Sequence, residues 1–303
     1  MLQGKVGIIT GSGRGIGREI ALLMARHGAS VIVNDLGAAP DGSTTAERPA
    51  EEVVTEIRKA GGRAAPNFGS VVSWDDAHSM VAQAVKEFGK IDFVVNNAGN
   101  LRDVIFHKMT EQDWDAVIAV HLKGNFNLCR AAAEHFRKQQ SGSFINFTST
   151  SGLIGNFGQA NYAAAKLGII GLTRSIALDM SRFNVRANAI APFAWTRLTA
   201  TIPEGETDAQ KARVENLKKM KAEQIAPLAV FLASDQAKDI TGQVFAVRGG
   251  EIVLFSLPRP VRHIHHADGW TAEDIAAVLP GALKTNFVPL QVSADIFPYD
   301  PLI

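Results

Sequence analysis

At 303 residues, with 46% hydrophobic and 20% charged side chains, the chain has the composition of an ordered globular protein, which excludes a largely disordered one. Its net charge of +1, without a basic run, predicts that neither nucleic acid nor an anionic membrane is a partner. The single cysteine, Cys129, excludes an internal disulfide and a thiolate metal cluster and, together with apolar runs too short to span a bilayer, indicates a cytoplasmic protein.

The first 35 residues follow a pattern of strand, glycine turn, helix and strand. The apolar run at residues 6–10 predicts a strand, and apolar residues at helical spacing then predict a helix that ends at Gly28. Between them lies T-G-S-G-R-G-I-G. Glycines there let the backbone approach a pyrophosphate, whose charge is favoured at the N-terminus of the helix. The turn residues expected to contact a dinucleotide are Gly11, Arg14, Gly15, Ile16 and Gly17.

Two charged residues near this turn favour opposite coenzymes. Asp35 ends the second predicted strand, where a carboxylate accepts hydrogen bonds from the adenosine ribose and repels a 2′-phosphate, so it favours NAD over NADP. Arg14 favours NADP if it meets that phosphate and is neutral in the choice if it points to solvent. We give the carboxylate more weight and predict NAD.

The segment from residue 36 to residue 99 continues the alternation. Glycine and proline residues predict a surface loop over 36–50, followed by a helix over 50–60 and a third strand over 64–68. Ser70 and Val71 follow that strand, so we expect them at the adenine end of the cofactor. A helix over 74–88 leads to a fourth strand over 91–95, which ends in N-N-A-G. Residues 113–137 then predict one long helix that contains His121.

Tyr162 and Lys166 lie four residues apart in a segment, 160–172, that predicts a helix, so their side chains share a face. A free tyrosine has a pKa of about 10, and a phenolate useful near neutral pH needs a shift of roughly three units, about 4 kcal/mol. A lysine cation one turn away shifts the pKa in that direction. Ser149 follows the apolar run 144–147, so a strand can bring its hydroxyl beside the phenol. The three predict a site that removes a proton from an alcohol, although Y-x-x-x-K alone is more often a surface pair.

These three residues, T-G-x-x-x-G-x-G at residues 10–17 and N-N-A-G at 96–99 together resemble the short-chain dehydrogenase/reductase family over residues 1 to about 250. The resemblance implies an α/β, doubly wound, seven-stranded parallel sheet of the Rossmann type, with helices on both faces. It implies that Tyr162 is the catalytic base, that Lys166 supports it and that Ser149 holds the substrate oxygen. It also implies that Asn97, Ala98 and Gly99 line the cofactor.

His121 stands in H-L-K-G, where most of the family has N-x-x-G. The family asparagine works through its main-chain carbonyl, which holds a water that leads to the lysine, and a histidine backbone can do the same. A lone helical histidine is commonly structural, so we treat the catalytic and structural roles of His121 as equally supported.

The resemblance also assigns the C-terminal part of the chain. After a sixth strand over 185–191, it implies that Pro192, Trp195 and Thr196 lie near the nicotinamide, with Phe193 where the family has glycine. Residues 196–224 correspond to the family's substrate lid, with a solvated helix as the alternative, and the last strand is expected over 240–247. The C-terminal extension, 251–303, is expected to pack on the core or on a neighbouring subunit. Its histidines, at 263, 265 and 266, match no zinc spacing, so no metal is predicted.

Within the family, V-N-D-L-G, V-H-L-K-G and G-N-F-G-Q-A-N-Y-A-A-A-K-L-G look most like the (3R)-hydroxyacyl-CoA dehydrogenase domain of multifunctional β-oxidation enzymes. This implies NAD-dependent interconversion of a 3-hydroxyacyl-CoA and a 3-ketoacyl-CoA, with a hydroxysteroid or other bulky alcohol as the alternative substrate. A non-catalytic NAD-binding sensor or assembly module is the alternative of another class. The family also implies a homodimer or homotetramer.

Overall fold

The computed structural model describes residues 1–39, 41, 43, 47–196 and 207–303, with the backbone alone at 208–210 and 213. Eight strands in these residues form one sheet in the order β3-β2-β1-β4-β5-β6-β7-β8. The strands are β1 Val6–Thr10, β2 Ser30–Asn34, β3 Arg63–Asn67, β4 Phe93–Asn96, β5 Gly142–Phe147, β6 Val185–Phe193, β7 Val244–Arg248 and β8 Glu251–Leu254. All neighbouring pairs are parallel except β7 and β8.

Helices cover both faces of the sheet. The α-helices of the described residues are α1 Gly15–Arg26, α2 Pro49–Lys59, α3 Trp74–Phe88, α4 Glu111–Ile118, α5 Gly124–Gln139, α6 Thr150–Leu153, α7 Ala160–Met180, α8 Asp208–Lys218, α9 Ala226–Ala233, α10 Ala272–Leu283 and α11 Ser293–Ile296. Apolar side chains of α1, α2 and α9 form one buried core, and those of α3 and α5 form the core on the opposite face. Because the central strands are buried on both faces, they are continuous apolar runs rather than alternating ones.

The strand order reverses between β1 and β4. In an open parallel sheet, the crevice at this reversal, beyond the carboxyl ends of the strands, is where ligands bind. Thr10 ends β1 and Asn96 ends β4, so the glycine turn and N-N-A-G meet at that crevice. The predicted doubly wound architecture is confirmed.

The C-terminal extension adds a strand that the sequence analysis did not predict. Seven parallel strands are present as predicted, and β8 then pairs with β7 in the antiparallel sense, with Arg248 opposite Glu251. The two-residue turn between them is Gly249-Gly250, and Gly249 has φ of 59°, a conformation that hairpin turns require and glycine adopts at no steric cost. The sheet therefore continues beyond residue 250.

The predicted single helix over 113–137 is wrong in one respect. The structure has α4 and α5 joined by a π-helical turn, Ala119–Lys123, with His121 buried inside it. Such turns are frequent at functional sites. Gly124, which follows the turn, packs tightly on Val71, since a Cβ on Gly124 would lie 2.8 Å from the Val71 side chain. Helical periodicity alone does not reveal the extra residue in the turn.

No helix in the described part of the chain has the length and apolar character needed to cross a membrane.

Candidate active site

The glycine turn places backbone N–H groups at the crevice. Gly11 and Gly15 have φ of 60° and 53°, in the left-handed region that favours glycine. A Cβ on Gly17 would lie 2.2 Å from the carbonyl oxygen of Gly11, so α1 packs directly on the turn. Gly17 therefore permits the close contact between helix and turn and does not itself line the cleft.

Asp35 ties the glycine turn to the segment that follows β2. One carboxylate oxygen accepts a 2.9 Å hydrogen bond from Gly13 N–H, and the other accepts a 2.8 Å bond from Gly37 N–H. The carboxylate is thereby fixed at the end of β2, beside the turn. This is the position from which an acid selects an unphosphorylated adenosine ribose.

Asn97 braces the same turn from β4. Its side-chain amide donates 3.0 Å hydrogen bonds to the carbonyl oxygens of Thr10 and Gly11, while the Thr10 hydroxyl accepts from the N–H groups of Asn97 and Ala98. N-N-A-G therefore shapes the cleft through these bonds as well as lining it.

An open cleft runs along the carboxyl edge of the sheet from the glycine turn to N-N-A-G. The predicted residues that line it are Gly11, Arg14, Gly15, Ile16, Asp35, Ser70, Val71, Asn97, Ala98, Gly99 and Thr196. The predicted cofactor-binding residues Gly17, Tyr162, Lys166, Pro192 and Trp195 do not line this cleft. Lining residues that the sequence analysis did not identify are Asn34, Leu36, Ala38, Ala39, Gly69, Val72, Asn100 and Val120. Three of these belong to the loop after Asp35, for which glycine and proline residues predict only a surface loop.

 The Ser70 N–H donates a 2.8 Å hydrogen bond to the carboxylate of Asp76, and Asn34 donates from its side chain to the carbonyl oxygen of Gly69 at 2.9 Å. The carboxylate of Asp76 thus lies next to Ser70, which lines the cleft. It reaches there from the first turn of α3.

The residues present fit a dinucleotide. At Gly11, a Cβ would lie 2.8 Å from the backbone of Ala98, and at Gly13 one would lie 2.9 Å from the Asp35 carboxylate. Any side chain at these two positions would therefore collide with the walls of the cleft, so bare backbone lines it there. The turn precedes the N-terminus of α1, where negative charge is favoured. Together, the backbone N–H groups and the carboxylate of Asp35 match the pyrophosphate and the ribose of such a ligand.

The proposed catalytic side chains come together beside α7. Tyr162 forms a side-chain hydrogen bond with Ser149, and the Lys166 ammonium lies 5.4 Å from the centroid of the Tyr162 ring. Lys166 Nζ donates a 2.7 Å hydrogen bond to the carbonyl oxygen of Phe147, at the end of β5. Since β5 delivers Ser149 and α7 carries the other two residues, the predicted grouping is present.

Burial shifts the pKa values of this group. It raises the pKa of Tyr162 to about 12, with the nearby Asp103 adding to the rise and the Ser149 hydrogen bond opposing it. It also lowers the pKa of Lys166 to about 7. The direction for Tyr162 is opposite to our prediction, because the prediction weighed the charge of Lys166 and omitted the cost of burying a phenolate.

The lowered pKa of Lys166 predicts a pH dependence of stability. Between about pH 7 and about pH 10 the unfolded chain binds more protons at this lysine than the folded protein, so the free energy of unfolding rises with pH. In Lys166→Met this contribution disappears. From pH 7 to pH 9 we expect wild type to gain roughly 1–3 kcal/mol of stability relative to the variant, as measured by denaturant unfolding. Parallel pH profiles of the two proteins would contradict the assignment.

His121 connects the cleft to the catalytic group. Its ring lies edge-on to the Tyr162 ring, with the centroids 5.1 Å apart, and a Cβ on Gly99 would lie 2.5 Å from the imidazole. His121 Nε2 donates a 2.8 Å hydrogen bond to the carbonyl oxygen of Asn100. Burial, followed by the charge of Lys166, holds the pKa of His121 well below its usual range. A neutral imidazole thus packs between the lining of the cleft and the phenol.

The segment after β6 is described in part. Pro192 and Phe193 belong to β6, and Phe193 packs edge-on against Phe297 of the C-terminal extension, with a 5.0 Å separation of the rings. The N–H of Trp195 donates to the carbonyl oxygen of Met220 at 2.6 Å. Of the predicted lid, 196–224, residues 197–206 lie outside the described residues.

The extension also approaches the active-site loop. Ser293 N–H donates a 3.0 Å hydrogen bond to the carbonyl oxygen of Gly155, which lies shortly after Ser149 in the chain. At its end, the carbonyl oxygen of Leu302 accepts from Gly250 N–H at 2.6 Å. In the described part of the chain, no group of three or more histidine, cysteine or acidic residues is arranged to hold a metal ion.

Known proteins resemble the chain in sequence and in structure. The family model described as enoyl-(acyl carrier protein) reductase matches residues 11–251. A Mycobacterium tuberculosis protein named as a short-chain type dehydrogenase/reductase is 47% identical over 84% of this chain and 86% of its own length. The hydroxyacyl-CoA dehydrogenase ChsB1 of the same organism is 39% identical over 92% of this chain and 88% of its own length.

Mouse peroxisomal multifunctional enzyme type 2 is 43% identical over 82% of this chain, which spans only 32% of that longer protein. The crystal structure of a short-chain dehydrogenase from Mycobacterium avium superimposes with a TM-score of 0.83 at 39% identity, covering 96% of this chain and 98% of the other. With the sheet, the glycine turn and the Ser149, Tyr162 and Lys166 group described above, these similarities establish that the chain is an oxidoreductase that belongs to the short-chain dehydrogenase/reductase family.

Proposed function

We propose that the protein is an NAD-dependent dehydrogenase that oxidises the secondary alcohol of a 3-hydroxyacyl-CoA to the ketone. The observation that carries this proposal is the continuity of the site. His121 contacts both Gly99, which lines the dinucleotide cleft, and Tyr162, which is hydrogen-bonded to Ser149. The names of two relatives, hydroxyacyl-CoA dehydrogenase and peroxisomal multifunctional enzyme type 2, support the acyl-CoA substrate.

Before substrate binds, the hydrogen bond with Ser149 lowers the pKa of Tyr162, which is the direction a base requires. In the proposed mechanism the Ser149 hydroxyl turns to donate its proton to the substrate oxygen, and Tyr162, as the phenolate, takes the proton from the substrate hydroxyl. Lys166 would hold the ribose next to the nicotinamide, and its positive charge, when it is protonated, opposes the rise in the pKa of Tyr162. NAD, when bound, would supply the hydride acceptor and a positive charge of its own, and the protein supplies orientation.

Asp35 is the residue proposed to select NAD. We expect Asp35→Asn to shift the ratio of kcat/KM for NAD and NADP toward NADP by about tenfold, roughly 1.4 kcal/mol, because the amide keeps the shape of the side chain and removes its charge. Asp35→Ala should relax the preference as well, at a greater cost to the turn, since it loses the bonds from Gly13 and Gly37. A coenzyme ratio that stays at the wild-type value in both variants would refute the assignment.

The substrate is tested by initial rates of NADH formation with (R)- and (S)-3-hydroxyacyl-CoA thioesters beside hydroxysteroids. We expect turnover with one thioester series and little with the steroids. Turnover confined to steroids or other bulky alcohols would support the dehydrogenase activity and would contradict the proposed thioester substrate. NADH binding without turnover on the whole panel would favour a non-catalytic sensor.

We further propose that residues 1–250 form the NAD-binding domain, with a lid over 196–224, and that 251–303 form an extension at the substrate side. The contacts of Phe297 with Phe193 and of Ser293 with Gly155 support this placement. By resemblance to the family, the protein acts as a homodimer or homotetramer, and its single cysteine suits the reducing cytoplasm.

A further inference from the structure

Arg14, in the middle of the glycine turn, forms an ion pair with Glu47. Arg14 lines the dinucleotide cleft together with Asp35, and its side chain is 28% exposed, whereas that of Glu47 is 59% exposed. Among the described residues, Nη1 of Arg14 is buried without a hydrogen-bond partner. The guanidinium is thus oriented by Glu47 at the edge of the cleft.

Contacts on both sides fix the backbone of Glu47. A Cβ on Gly37 would lie 2.2 Å from the carbonyl oxygen of Glu47, so the two ends of the loop meet directly after Asp35. The next residue, Arg48, stacks on the Phe68 ring at 4.5 Å. Glu47 is therefore held where it can meet Arg14.

This arrangement has an electrostatic consequence for the coenzyme. An arginine at the ribose end of the cleft favours a 2′-phosphate, which carries up to two negative charges. Glu47 neutralises that arginine, and the carboxylate of Asp35 remains as the charge that lines the cleft. The ion pair thus turns a residue that favours NADP into part of a site that disfavours it.

We propose that Glu47 determines coenzyme specificity by withholding Arg14 from the adenosine 2′-phosphate. The inference rests on the proposed dinucleotide function and assigns part of its selectivity to a residue of the loop after Asp35. The competing explanation is that the ion pair of Arg14 with Glu47 only holds the loop in place.

The test is direct binding of NADH and NADPH, followed by the fluorescence of the reduced nicotinamide, for wild type, Glu47→Gln, Arg14→Gln and the double variant. We expect Glu47→Gln to bind NADPH about tenfold more tightly, with the Kd for NADH nearly unchanged. The gain should shrink at high salt, because both groups are partly exposed, and should be largely lost when Arg14 is also replaced. Glu52→Gln, the same change at an exposed residue on α2, is the matched control and should change neither Kd.

The outcomes separate the inference from the proposed function. An unchanged NADPH Kd in Glu47→Gln, or an equal gain with and without Arg14, would overturn the role given to the pair while NADH binding stands. A large loss of NADH affinity with a lower Tm in Glu47→Gln would identify a structural tie and overturn it too. Absence of NADH binding in wild type would instead refute the proposed function.

Discussion

Tyr162→Phe is expected to lower kcat for alcohol oxidation by about a thousandfold or more, while the Kd for NADH stays close to that of wild type. The substitution removes the hydroxyl that hydrogen-bonds with Ser149 and keeps the ring that packs against His121. The loss should therefore fall on kcat rather than on folding. Stopped-flow measurement of NADH formation, with NADH binding by fluorescence, separates the two effects.

The chain offers a matched control for this substitution, since it has two tyrosines. Tyr299 is exposed and donates from its hydroxyl to the carboxylate of Glu251 at 3.0 Å. Tyr299→Phe should retain nearly full activity. If Tyr162→Phe kept a substantial fraction of wild-type kcat, another group would have to be the base.

Gly17→Ala is expected to weaken NADH binding by about a hundredfold, close to 3 kcal/mol. The added Cβ would lie 2.2 Å from the carbonyl oxygen of Gly11 and 2.6 Å from the side-chain amide of Asn97. The first of these neighbours is backbone, so the turn itself must move. Isothermal titration with NADH measures the loss, and thermal unfolding reports how far the fold is affected.

Gly171→Ala is the control for the effect of alanine in a helix. Gly171 is exposed on α7, and a Cβ there meets no described atom within 4 Å. We expect NADH binding to stay at the wild-type value and stability to rise by roughly 0.5–1 kcal/mol, since alanine is the better helix former. Wild-type NADH affinity in Gly17→Ala would show that close packing of helix on turn is dispensable for binding.

Local patterns predicted the elements that carry the site. The helix over residues 74–88 is present with those bounds, and Tyr162 and Lys166 lie on one helix. These predictions succeed because apolar spacing is a local property of the sequence, and the face of each element that it marks is the face that packs on the sheet. The glycine turn lies at the reversal of strand order, where sheets of this architecture bind their ligands.

Properties that depend on contacts between distant segments were not predictable. The ion pair of Arg14 with Glu47 joins the turn to a loop that the sequence marks only as irregular. The π-helical turn around His121 depends on packing against Gly99 and Asn100, from the loop after β4. The pKa of Tyr162 rises because the phenol is buried, and burial cannot be read from a four-residue spacing.

The most direct test of the account is a single-turnover experiment with wild-type protein, NAD and a 3-hydroxyacyl-CoA that carries deuterium at the carbinol carbon. If hydride passes from that carbon to NAD, reduced coenzyme should form in one turnover, and it should form more slowly with the deuterated substrate than with the unlabelled one. Tyr162→Phe should form almost no reduced coenzyme. NADH formation that Tyr162→Phe leaves intact, or binding of NAD with no reduction by any alcohol tested, would contradict the proposed dehydrogenase.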